Sequence, residues 1–163
     1  MQGLLQHIQT LVALTVLILA AIWDVRNRRI PNAVTLPAIL LGLILTAVFD
    51  LKAIPLTFIA LILLFFFGAL NLMGQGDVKL IMTLTAICSL SVALLSTGIA
   101  AILLVAIQLL LHPNETVRNI KNSFGVLFTM DFKRIDNKER SVPFAPYILA
   151  GFVCLTLCRL ILR

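Results

Sequence analysis

Apolar residues fall in long runs along this chain, and each run is closed by a short cluster of charged residues, proline or glycine. A run of about 20 apolar residues has the length of a helix that crosses a bilayer. Six such spans are expected, at 5–23, 33–49, 55–73, 78–95, 97–111 and 142–161. The first ends at Trp23, an interface-type aromatic, and the polar stretch from Asp24 to Asn32 follows it. Asn32 is placed to cap the second span, and Pro31 to stiffen the turn before it. Asp50, Lys52 and Pro55 mark the next turn, and Gly74-Gln75-Gly76-Asp77 interrupts the chain before the fourth span. Residues 78–111 are long for one span and short for two. Ser89, Ser91, Ser96, Thr97 and Gly98 in their middle favour two short ones. The fold class is therefore all-α: a polytopic six-helix membrane protein, one domain over 1–163.

Residues 112–141 form the long polar segment. His112-Pro113-Asn114-Glu115 reads as a stop followed by a capped start. Val117, Ile120, Phe124, Leu127 and Phe128 then recur at helical spacing, with Arg118, Lys121 and Asn122 off the stripe. The expectation is an amphipathic helix lying on the membrane surface, with a flexible linker as the alternative.

Composition points the same way. Of 163 residues, 61% are hydrophobic and 12% charged, and the mean hydropathy is +1.09. A soluble domain carries about 45–50% apolar and about 25% charged residues, so too little polar surface exists here to face water all round. Soluble enzymes, disordered chains and disulfide-stapled secreted domains are disfavoured. The net charge of +6 sits in loops between apolar runs, so it reports orientation, and no nucleic-acid partner is expected. With six spans, segments 24–32, 74–79 and 112–141 share one side and hold ten of the 13 Lys and Arg; the other side holds Lys52, Arg159 and Arg163. That bias puts the first side in the cytoplasm and both termini outside. No signal-peptide pattern precedes the first run, which is read as a retained span. Cys88, Cys154 and Cys158 match no zinc spacing and are expected to be small apolar packers, with no metal and no cofactor.

Two of the seven acidic residues stand apart. Asp24 and Asp77 each abut the end of an apolar run, and the topology puts both at the same membrane face. Ionisable groups at membrane depth are costly and suggest function. Two neighbouring carboxylates resist double ionisation, so one pKa rises and the pair holds a proton. The ionised partner then takes a proton from water while the protonated one donates to a carbonyl oxygen, which is aspartyl-protease chemistry. Gly74 and Gly76 shape the approach to Asp77 by lacking side chains. Against this, the helix N-terminus favours an ionised Asp77. The plainer readings are an Asp77 that caps a helix and an Asp24 paired with Arg26 or Arg28.

Trp23-Asp24-Val25-Arg26 through Ile30-Pro31-Asn32, then Gly74-Gln75-Gly76-Asp77-Val78-Lys79-Leu80, resembles the type IV prepilin peptidases, GxGD-type intramembrane aspartyl proteases. Pro143-Phe144-Ala145-Pro146-Tyr147 is similar to that family's proline-bracketed aromatic segment before the last span. The resemblance implies that Asp24 and Asp77 are the catalytic pair of a prepilin leader peptidase. It implies cleavage of prepilin-like substrates before their hydrophobic helix, at the cytoplasmic face of a bacterial inner membrane. The chain is similar in length to the short, peptidase-only members of Tad/Flp-type pilus systems. It has no Cys-x-x-Cys and no room for a domain before its first span, so N-methylation is not expected.

Supporting roles are weaker. Gln75 is a candidate to reach the catalytic water, and Asn71 to hydrogen-bond in the site or between helices. Lys79, two residues from Asp77, is expected to point elsewhere and snorkel to lipid phosphate. The competing functions are a small proton-coupled transporter, which would want its acids near the bilayer midplane, and a non-catalytic membrane assembly protein.

Overall fold

The computed structural model of the protein describes residues 2–28, 30–70, 74–111 and 143–161. The amphipathic segment expected at 112–141, and Asn71, lie outside the described residues. Six α-helices follow one another: α1 (Gln2–Asn27), α2 (Asn32–Phe49), α3 (Ile54–Ala69), α4 (Gln75–Ile87), α5 (Leu90–Leu111) and α6 (Ala145–Ile161). A single 3-10 turn at Leu51–Ala53 leads into α3, and no strand occurs among the described residues.

Three helical stretches are long and apolar enough to cross a membrane: His7–Asn27, Leu51–Ala69 and Leu90–Leu111. Their outer faces are what a water-soluble protein avoids. On α3 alone Phe58, Ile62, Phe65, Phe66 and Phe67 are exposed. A contiguous apolar face of this kind belongs in lipid.

α4 is the buried helix of the bundle. Val78, Leu80, Ile81 and every residue from Thr83 to Ile87 are buried, and α1, α2, α3 and α5 all pack on it. Its approach to α2 is close because Gly42 has no side chain: a Cβ there would lie 2.7 Å from the Ala86 carbonyl carbon. Nearby, the Thr46 hydroxyl on α2 donates to the Ala86 carbonyl on α4 at 3.3 Å. α6 closes the bundle against α5 and α1.

Several boundaries depart from the sequence reading. α1 runs on to Asn27, so Asp24 belongs to a helix and not to a loop. The division of 78–111 falls at Cys88–Ser89 and not near residue 96. Ser96 and Thr97 stay helical because their hydroxyls bond the carbonyls of Val92 and Ala93, one turn back in the same helix. Ser89 instead caps α5, its Oγ accepting the Val92 N–H at 3.4 Å. The result is one short helix and one long one, 13 and 22 residues, and not two short spans. Asn32 does not cap α2; Pro31 is the N-cap residue and no side chain bonds there. Cys154 and Cys158 are exposed on α6, so only Cys88 approaches the packing role expected of all three.

Candidate active site

The ends of α1, α4 and α6 meet at one end of the bundle, around an open cavity of about 530 Å³. Asp24 in the last turn of α1 and Asp77 in the first turn of α4 both line it. The wall is completed by Arg28 and Ile30 from the α1–α2 turn, by Gly74, Gln75, Gly76 and Lys79 around the start of α4, and by Pro143 and Phe144 before α6.

Asp24 is 8% exposed. Its Oδ2 accepts the backbone N–H of Ala145 at 3.1 Å, across the bundle at the start of α6. That N–H is one of the helix-end donors without an intrahelical acceptor, and the carboxylate supplies the missing partner. Among the described residues Asp24 pairs with neither Arg26 nor Arg28, which removes the reading of a surface ion pair.

Asp77 is the third residue of α4 and not its cap. Gly74 occupies the N-cap position, with no side-chain hydrogen bond there. The carboxylate of Asp77 folds back over that glycine: a Cβ at residue 74 would stand 2.8 Å from Asp77 Oδ2. Gly76 similarly makes room for Ile30, whose Cδ1 would lie 3.3 Å from a Cβ at 76. Both glycines serve close approach, since no glycine in the described chain has a positive φ. Asp77 precedes the apolar run that begins at Val78, and burial pushes its pKa up to about 6, with the negative charge of Asp24 adding to the rise. Desolvation and like-charge repulsion together outweigh the helix N-terminus, which acts in the opposite sense.

Of the other residues singled out in the sequence, Gln75 and Lys79 reach the cavity wall. The position of Lys79 corrects the expectation that it points elsewhere: from the helical stretch after Asp77 it still lines the cavity, which wraps around the start of α4. Pro31 and Asn32 are not on that wall; Pro31 shapes the turn by accepting the Val34 and Thr35 N–H groups at 3.1 and 3.4 Å. Sequence reasoning did not assign Ile30 to the site, nor the Ala145 N–H to Asp24. The signal for the second was the Pro143–Tyr147 segment, whose prolines mark a helix start.

An apolar helical bundle with two carboxylates in an open polar cavity at its end defines a membrane protein with an enzyme-like site. The chain belongs to the type IV leader peptidase family, whose model matches residues 11–110, a stretch that contains both Asp24 and Asp77. It is accordingly a membrane peptidase. No curated protein and no solved structure matches the chain.

Proposed function

We propose that the protein is a prepilin leader peptidase, an aspartic endopeptidase that cuts prepilin-like substrates just before their hydrophobic helix. The observation that carries this reading is that Asp24 and Asp77, far apart in the chain, line one cavity at one end of the bundle. In the proposed mechanism Asp24 is the base and Asp77 carries the proton. A water between them gives its proton to Asp24 as its oxygen attacks the scissile carbonyl carbon. Asp77 donates to the carbonyl oxygen, forming a gem-diol. On collapse the proton on Asp24 passes to the leaving nitrogen, the C–N bond breaks, and a gem-diol hydroxyl returns a proton to Asp77. Atoms balance: one water and one peptide bond become an acid and an amine.

The six helices are proposed to form one peptidase domain over 1–163, with the cavity at the cytoplasmic face of a bacterial inner membrane. The excess of Lys and Arg in segments 24–32, 74–79 and 112–141, which six spans would put on one side, supports this orientation. A substrate whose scissile bond precedes its membrane helix presents that bond at the same depth. An acid pair at a helix-end cavity also fits transport poorly, because proton-coupled carriers place such groups near the midplane.

The test is cleavage of a synthetic leader–helix peptide by purified Asp24→Asn and Asp77→Asn variants in detergent. Both are expected to lose cleavage by about 10³-fold or more while remaining folded. Retained cleavage in either variant overturns the reading.

A further inference from the structure

Arg28 is the one residue other than glycine with a positive φ among the described residues, at 50°. It stands just past the end of α1, where its N–H bonds the carbonyl of Asp24 at 2.8 Å. That bond closes a left-handed helix cap, a position glycine fills best because a Cβ is strained there. Asp24 thus ties the turn to the site through its backbone while its side chain faces Ala145. Backbone strain persists where surrounding structure or function requires the residue. Here the side chain so placed lines the cavity between the two carboxylates' helices. Among the described residues it makes no ion pair or hydrogen bond.

A peptide can be cut only where its scissile carbonyl is free of helix, so the bound segment brings unpaired backbone carbonyls into a partly desolvated cavity. Such groups need donors. A guanidinium offers five N–H donors in a fixed fork. Asp24, ionised in the proposed mechanism, lines the same cavity and repels an anionic group there, which favours a neutral carbonyl as the ligand of that cation over a carboxylate.

We propose that Arg28 is a substrate-anchoring residue, its guanidinium donating to a main-chain carbonyl of the extended substrate segment beside the scissile bond. This rests on the peptidase reading of the site. The experiment compares Arg28→Gln, Arg28→Lys and Arg28→Gly in the purified full-length protein, with a leader–helix peptide and with the same peptide bearing amides in place of its acidic side chains. Arg28→Gln and Arg28→Gly are expected to raise KM about tenfold on both peptides, with kcat changing less than about threefold. Arg28→Lys restores part of the loss, and Arg28→Gly melts no lower than the parent because glycine relieves the cap. Wild-type KM in all three variants overturns the proposal. So does an effect confined to the acidic peptide, or a joint fall in kcat and melting temperature at constant KM. If Asp24→Asn and Asp77→Asn abolish cleavage while the Arg28 variants behave as wild type, the anchor fails and the catalytic pair stands.

Discussion

Asp77 carries its charge in a place that disfavours it, and this has consequences for activity and stability alike. Its pKa is raised from 3.8 to about 6, by burial first and by Asp24 second. In the proposed mechanism Asp77 works as an acid, so cleavage is expected to fall as pH rises through about 6, when its proton is lost. A pH–rate profile checks this, and a rate that is flat from pH 5 to about 8 contradicts it. The stability effect has a definite sign. Below 3.8 both folded and unfolded chains hold the proton; above about 6 only the folded state hosts the charge poorly, so stability is lost as pH rises across that window. Asp77→Asn is therefore expected to melt higher than the parent at pH 7 and equally at about pH 3.5, as read by thermal denaturation in detergent. Lower stability of the variant at pH 7 contradicts the assignment.

The elements show how much of this was legible. Apolar runs gave every described helix, because in lipid a helix is written by length and hydropathy. The hydroxyl-rich stretch in 78–111 misled, because serine and threonine either cap a helix or bond their own preceding turn. Ser89 does the first and Ser96 the second, and composition alone does not separate them. Asp24, Gly74, Gly76 and Asp77, which line the cavity, could be picked out from their places beside the runs. The α6 contact to Asp24 could not: the prolines of Pro143–Tyr147 mark a helix start, but not which carboxylate accepts its free N–H groups. The start of α4 supplies a test at this scale. Gly74 is exposed, with φ −55° and ψ 129°, a conformation alanine adopts freely. Gly74→Ala should leave the melting temperature unchanged or slightly higher, because a compatible alanine lowers unfolded-state entropy. Its Cβ would nonetheless push against Asp77 Oδ2, so cleavage should fall about tenfold or more. Wild-type activity in this variant contradicts the close approach.

At the scale of the molecule, Arg26, Arg28 and Lys79 lie at the helix ends around the cavity, and the 3-10 turn carrying Lys52 lies between α2 and α3 at the other end. Cysteine labelling of intact cells tests the proposed orientation, with the native cysteines first replaced by serine. Lys52→Cys should react with a membrane-impermeant maleimide from outside, and Arg26→Cys only after the membrane is opened. The reverse pattern inverts the topology. The shortest of the six helices, α4, sits at the centre: its 13 residues span about 20 Å, and its neighbours shield it from lipid.

The proposed chemistry requires two carboxylates acting as one device, and a double-mutant comparison measures that most directly. Residual cleavage is determined for Asp24→Asn, Asp77→Asn and the double variant under one set of conditions. Groups that share a single water should be non-additive, with each single variant as slow as the double. Losses that multiply, so that the double variant is slower than either single one by the product of their effects, would show two independent residues and contradict the account.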